Sequence, residues 1–166
     1  MRKFLVILLV LSSLFLQAHN DHYKNYSKIE MEIFKDDEKI GESIFTFKKE
    51  KDKFIVKNST NFEVKLLGVT VFSIKSRGTE EYIGDQLISF NSETFQNDKR
   101  KYVNLIFDEK KEKFIIDGSS YKGEADKENI IGHWWNHRIL QTETQISPLS
   151  GSVKKQNIEF LGKKKI

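Results

Sequence analysis

Apolar and polar residues alternate through most of this chain, and this alternation constrains the fold more than any other feature. In the stretch 28–34, Ile29, Met31 and Ile33 share one face, while charged residues occupy the other. A period of two is typical of a half-buried β-strand. Because the pattern recurs in many short segments, the sequence predicts a mainly all-β domain.

The alternating segments follow one another with short polar links. They are predicted as strands at 28–34, 41–47, 54–66, 69–74, 79–83, 87–95, 102–107, 114–116, 119–123, 142–146 and 157–161. The segment 54–66 keeps one apolar phase throughout, which favours a single long strand, and the charged runs 48–53 and 108–113 suit exposed turns. No helical crossover separates the segments, so we expect an antiparallel meandering sheet curled into a half-barrel or open barrel.

The alternation breaks at Ala125, and a short helix or loop plug is expected around 126–140. Asp126 can cap a helix, and Trp134, Trp135 and Arg138 follow at helical spacing, although Gly132 weakens this interpretation. Two large indole rings would close one open edge of the sheet. The neighbouring polar side chains would then form a rim, and these are His133, Asn136, His137 and Arg138.

The first eighteen residues resemble an export leader. Arg2 and Lys3 precede an apolar run at 4–16, and Ala18 offers a small residue for cleavage. We therefore expect a signal peptide at 1–18, one β-rich domain at 19–166, and a periplasmic or secreted protein. The run is shorter than the roughly 20 residues of a spanning helix, so no transmembrane span is expected after cleavage. The chain has no Cys, which excludes a lipid-anchored lipoprotein and disulfides.

The charge balance argues against nucleic-acid binding. The formal net charge is only +4, and basic and acidic residues are interspersed. The sequence also offers little for catalysis, because it has no Cys, no Gly-x-Ser-x-Gly elbow and no glycine-rich phosphate loop. Glu80 and Glu81 are adjacent in a strand, so their side chains should point to opposite faces. We therefore expect no cofactor.

One metal-dependent alternative remains. If 126–140 is helical, His133 and His137 lie one turn apart and are weak candidates for a zinc site in a hydrolase-type enzyme. A zinc-protease helix carries Glu after its first His, whereas Trp134 stands there. His19, exposed by cleavage, could hold copper only with a second fixed His, which the sequence does not identify.

The leading interpretation is an exported protein that binds an apolar or lipid ligand, or an envelope partner, without catalysis. Aromatic and aliphatic side chains from several strands would form or rim the apolar interior. These residues are Phe45, Phe47, Phe54, Val64, Phe72, Phe90, Trp134 and Trp135. A further alternative is a structural or assembly factor that pairs with a partner through an open sheet edge.

Several short segments also resemble a family of bacterial exported proteins catalogued as a domain of unknown function, number 6134. They are Gly41 with 44–47, the long segment 54–66, the run His133-Trp134-Trp135-Asn136 before Gln141-Thr142, and Gly151. The resemblance implies an antiparallel, barrel-like sheet outside the cytoplasm, and it supplies no functional residue. Members of that family continue with further strands where this chain stops at Ile166, so we expect either a naturally short form or one sheet edge that is left open.

Overall fold

The main element of the fold is a single eight-stranded antiparallel sheet. A computed structural model describes Tyr23 and residues 25–159. The sheet follows chain order through β1 Lys28–Lys35, β2 Glu38–Glu50, β3 Lys53–Leu66, β4 Val69–Ile83, β5 Gln86–Gln96, β6 Lys99–Asp108, β7 Lys113–Gly118 and β8 Lys122–Asp126. The predicted mainly-β antiparallel meander is confirmed. The predicted leader, His19 and the residues from 160 onward lie outside the described residues.

Tight turns whose residues tolerate a left-handed backbone join the strands. Asp36 and Asp37, and likewise Asn97 and Asp98, all have positive φ. Two consecutive residues of this kind form the turn that best matches the twist of a hairpin, and Asp and Asn adopt it more readily than most residues. The charged runs 48–53 and 108–113 both contain hairpin turns, as predicted.

Two strand boundaries differ from the prediction. The segments 69–74 and 79–83 belong to one strand, β4, because Ser76 pairs with both Thr60 of β3 and Thr94 of β5 across the polar middle. The predicted strand at 119–123 is wrong in its position, since β8 is Lys122–Asp126. The single long strand predicted at 54–66 is confirmed as β3.

The segment after β8 is not an α-helix, so the helical form of the predicted plug is wrong and its loop form is observed. Asp126 pairs with Lys113 and therefore ends a strand instead of capping a helix. The remaining elements are β9 Ile130–Ile131, a 3₁₀ helix at His137–Leu140, β10 Thr144–Ile146 and β11 Val153–Lys155, and the strands form a small second sheet. The prediction of a strand at 157–161 is wrong for residues 157–159, which the structure describes and which are not in a strand.

The core lies between the inner face of the large sheet and the segment that contains the small sheet. Inward-facing side chains from β2 to β8 contact Ile131, Trp135 and Ile146 in one buried cluster. The large sheet is not closed, since its order runs from β1 to β8 and no ladder joins these two strands within the described residues. None of the helices in the described part of the chain has the length and apolar character needed to cross a membrane.

Candidate functional site

A buried carboxylate lies at the centre of the inner face. Glu80 on β4 is only 1% exposed, and its neighbours in the same row across the sheet are Val56 and Phe90. Trp135 Nε1 donates a hydrogen bond to Glu80 Oε1 at 3.0 Å, and His133 Nδ1 lies 2.7 Å from the same oxygen. The Tyr82 hydroxyl donates to Oε2. These contacts provide the partners that a buried carboxylate requires.

The strand and the loop bring these groups together for local reasons. On β4, the even-numbered residues from Phe72 to Tyr82 face inward, so Glu80 and Tyr82 lie on the same face. The loop is fixed by β9, whose Ile130 and Ile131 pair in parallel with β10. The His133 amide then donates to the Ile131 carbonyl at 2.7 Å, which directs the following residues over the sheet.

The local electrostatics keep Tyr82 protonated. Burial raises the pKa of the Tyr82 phenol well above its ordinary value, and the charge and hydrogen bond of Glu80 raise it further. Asn136 and Arg138 act in the opposite direction with smaller effects. Tyr82 is therefore a hydrogen-bond donor to Glu80 at neutral pH. Glu80 is too deeply buried to meet a substrate directly, so its chemical effect is to orient His133 and Trp135.

Beside this cluster, an open cavity of about 610 Å³ enters the inner face. Its volume lies within the usual range for small-molecule sites. Most of its wall is apolar, and the side chains that provide this wall are Met31, Ile33, Phe34, Phe45, Phe62, Phe72, Ile74, Trp134, Pro148 and Leu149. Gly132 and His133 lie at its boundary with the buried cluster, so the ring oriented by Glu80 is also a cavity residue.

A row of hydroxyl groups crosses four strands, and three of its members form the floor of the cavity. Ser43, Thr60, Ser76 and Thr94 occupy successive paired positions on β2, β3, β4 and β5. The Ser43 and Thr60 hydroxyl oxygens are 2.7 Å apart, and those of Ser76 and Thr94 are also 2.7 Å apart. Ser43, Thr60 and Ser76 line the cavity. A bound molecule would therefore meet hydroxyl groups below it and apolar side chains around it.

The predicted interior residues are divided between this cavity and the filled core. Phe45, Phe72 and Trp134 line the cavity. Phe47, Phe54, Phe90 and Trp135 are buried in the core cluster. Val64 is half-buried and borders a neighbouring groove between β3 and the β1–β2 turn.

The predicted polar rim is also divided. His133 and Asn136 are buried, and His137 and Arg138 are half-buried. The two tryptophans are separated as well, because Trp135 is 1% exposed whereas Trp134 is 75% exposed. Trp135 packs against the rings of Tyr23, Phe47, Phe54 and Tyr82.

The predicted helical pairing of His133 and His137 is wrong, because the loop does not place them one helical turn apart. His133 is directed at Glu80, and His137 opens the 3₁₀ helix and stacks on Tyr23 with ring centroids 6.1 Å apart. Among the described residues, no group of three or more His, Asp and Glu side chains is placed to hold a metal ion. The geometry therefore gives the metal-dependent alternative no support.

Sequence reasoning missed Glu80 and the hydroxyl row. Dividing β4 into two strands hides the alternation that Ile74, Ser76, Gly78, Glu80 and Tyr82 share. That alternation is the signal that could have identified Glu80 as inward-facing. The inference that Glu80 and Glu81 point to opposite faces agrees with the structure, in which Glu81 meets exposed Lys53 at 2.8 Å.

The fold and the site define a class of protein, a mainly-β open sheet with a cavity on its inner face and a buried carboxylate beside it. The family model described as Domain of unknown function (DUF6134) matches residues 31–166, and the chain belongs to this family. The resemblance noted in the sequence is thereby confirmed. No curated protein and no solved structure matches the chain.

Proposed function

We propose that this protein binds an amphipathic small molecule, with an apolar body such as an acyl chain, in the inner-face cavity, and that it does so without catalysis. The observation that supports this proposal is the lining of the cavity. Apolar side chains from β1, β3, β4 and the 148–149 turn surround a floor of hydroxyl groups. Burying apolar ligand surface against such a wall is favourable by about 25 cal/mol per Å².

The polar end of the ligand is assigned to the floor and to His133. Since His133 Nδ1 is committed to Glu80, Nε2 is the ring nitrogen left to meet a cavity ligand. Ser43, Thr60 and Ser76 can each donate or accept a hydrogen bond. An acyl chain that ends in a carboxylate or hydroxyl group would satisfy both parts of the cavity.

The proposal also places the protein outside the cytoplasm. Support for this location comes from the leader-like residues 1–18, with Arg2 and Lys3 before an apolar run. Cell fractionation followed by N-terminal sequencing tests it. A cytoplasmic protein that retains residues 1–18 would contradict the location and would leave the ligand proposal to its own test.

The ligand proposal is tested with a dansyl-labelled fatty acid held below its critical micelle concentration. We expect saturable enhancement of dansyl fluorescence by the wild-type protein. Met31→Trp should weaken binding at least about tenfold, because Met31 lines the cavity from β1 and a larger ring there would occupy its volume.

Glu30→Trp is the matched control, since Glu30 precedes Met31 on the same strand and points to the opposite, exposed face. It should bind the probe as the wild type does. Absence of saturable binding to the wild-type protein would overturn the proposal. Equal binding by the Met31 and Glu30 variants would place the probe outside this cavity and would also overturn it.

A further inference from the structure

The β3–β4 hairpin extends beyond its ladders to β2 and β5, and the β1–β2 turn lies beside it across a groove. The last β2–β3 pair is Gly41 with Phe62, and the first β4–β5 pair is Ile74 with Gln96. Residues 63–73, which we name the finger, therefore form strand ladders only within their own hairpin. Two-stranded hairpins are marginally stable in water, so a finger of this kind benefits from an additional contact.

The tip of the finger is apolar and exposed. Leu67 is 98% exposed, Leu66 and Val69 are each 65% exposed, and Val71 is 51% exposed. Leu66 pairs with Val69 and continues the alternation of Phe62 and Val64 on β3. A register shift at Val64 and Lys65 leaves Val71 as the extra residue of β4. Single exposed apolar residues are common, but a contiguous group of this kind marks an interaction site.

Leu67, in the turn at the tip, is a residue type that rarely adopts the backbone conformation found there. Leu67 has a φ of 50° and Gly68 a φ of 81°. The equivalent turns at Asp36–Asp37 and Asn97–Asp98 use Asp and Asn, which tolerate this conformation. A leucine is unfavourable at this position, because a positive φ strains its backbone and its apolar side chain is exposed to water. Neither folding nor solubility therefore explains the presence of Leu67.

We propose that the finger tip inserts into the surface of a lipid bilayer. Leu67 at the end and Leu66, Val69 and Val71 beside it would enter the boundary between headgroups and acyl chains, where apolar side chains are favoured. The only charged residues of the finger, Glu63 and Lys65, lie below this tip. Lys65 is thus placed at the level of the lipid headgroups.

The dimensions of the tip favour a bilayer over another protein. A stable protein interface buries roughly 800 Å² and about 20–30 residues on each partner, whereas the exposed apolar residues of the tip are four, Leu66, Leu67, Val69 and Val71. A bilayer needs no matching surface, because lipid molecules adapt to the outline of the tip. The base of the finger also meets the cavity, since Phe62 and Phe72 line it with ring centroids 5.8 Å apart. The inference does not depend on the proposed ligand, because lipid-surface binding is measured without one.

The test is sedimentation with phosphatidylcholine vesicles that contain a minority of phosphatidylglycerol. The wild-type chain should bind, and Leu67→Asn should lower the partition coefficient at least about tenfold. Asn before Gly is favoured in this turn, so the variant should unfold at the same temperature as the wild type or at a higher one. Its binding defect therefore cannot result from loss of folding.

Ile106→Asn is the matched control, because Ile106 is 59% exposed on β6, away from the finger. It should bind vesicles as the wild type does. No binding of the wild type, or equal losses in the two variants, would overturn the inference. A lipid-free dimer that Leu67→Asn converts to a monomer would also overturn it, since the tip would then contact a second copy.

Dansyl fatty-acid binding should be unchanged in Leu67→Asn, so the finger and the cavity are tested separately.

Discussion

Glu80 connects the large sheet to the loop that covers it. Its carboxylate accepts a hydrogen bond from Tyr82 on the same strand, β4. It also contacts His133 and Trp135 of the loop. The rings of Phe45 and Phe90 lie edge-on to His133 at centroid distances of 5.5 and 5.7 Å. A hydrogen-bonded cluster in such apolar surroundings specifies one position of the loop, because any displacement leaves buried donors without partners.

Replacing Glu80 should therefore be costly. We expect Glu80→Leu to lower the free energy of unfolding by about 3 kcal/mol or more, because three buried donors lose their acceptor while the side-chain volume is retained. Urea unfolding monitored by circular dichroism measures the change. Glu81→Leu is the control, since Glu81 contacts Lys53 on the outer face. This variant should lower the free energy of unfolding much less. Comparable losses in the two variants would contradict this role for Glu80.

At the residue scale, sequence predicts burial better than it predicts polar partners. Phe45, Phe54, Phe90 and Trp135 follow from alternation and size, because burial of large apolar side chains dominates folding. Glu80 does not follow, because a carboxylate becomes stable in the core only when donors from a distant segment meet it. Its partner His133 lies 53 positions away, and no local pattern records that contact.

At the element scale, the strands were predictable and the loop was not. Each strand carries its own alternating signal, whereas the 126–140 segment contains apolar residues at spacings that also fit a helix. Tertiary contacts decide between these structures. Ile130 and Ile131 pair with β10, and the side chains of His133 and Trp135 both reach Glu80.

The 147–151 turn attaches the small sheet to the large one through a close approach of backbones. Ser92 Oγ donates to the Pro148 carbonyl at 2.6 Å, and the Ser120 amide donates to the Ser150 carbonyl at 3.1 Å. A Cβ on Gly118 would lie 2.5 Å from the Ser150 carbonyl oxygen. Only glycine at position 118 permits this contact.

We expect Gly118→Ala to displace the 147–151 turn and to speed amide hydrogen exchange in β10 and β11 at least about tenfold, while β2 to β4 keep their protection. Gly123→Ala on β8 is the control, because the three atoms nearest to its Cβ would all belong to the Tyr121 side chain and none to the 147–151 turn. Hydrogen exchange read by mass spectrometry distinguishes the two. Unchanged exchange in β10 and β11 of Gly118→Ala would contradict the assigned attachment.

At the scale of the whole molecule, the sheet stays open and a loop covers its inner face. Both edge strands carry charge on their exposed residues, as in Lys28, Glu30 and Glu32 on β1 and Lys122 and Glu124 on β8. Charged side chains on sheet edges oppose pairing with other chains. Lys111 and Glu124, 2.7 Å apart, add an ion pair on the β8 side.

Global stability should decrease at alkaline pH because of Tyr82. Its pKa is raised in the folded state, so the unfolded chain releases the phenolic proton first, near its ordinary value of about 10. The contribution is fully present below that pH and is lost as the pH rises toward the folded-state pKa. Tyr82→Phe should reduce the slope of the free energy of unfolding against pH, above about pH 10, by up to about 1.4 kcal/mol per pH unit.

Urea unfolding at several pH values from about 8 to about 11 measures this dependence for the wild type and for Tyr82→Phe. Both proteins also contain other groups that titrate in this range, so the difference between their slopes is the relevant quantity. If the two curves run parallel above about pH 10, ionisation of Tyr82 is not linked to unfolding.

The hydroxyl row beneath the cavity has a consequence for selectivity. In each of its two hydrogen-bonded pairs, Ser43 with Thr60 and Ser76 with Thr94, either oxygen can be the donor. Rotation of the hydroxyl hydrogens can therefore reverse the polarity of the floor with no movement of the backbone. Under the proposed function, a lining of this kind would accommodate alcohols, acids and esters alike, and chain length and shape would discriminate between ligands more strongly than the chemistry of their head groups.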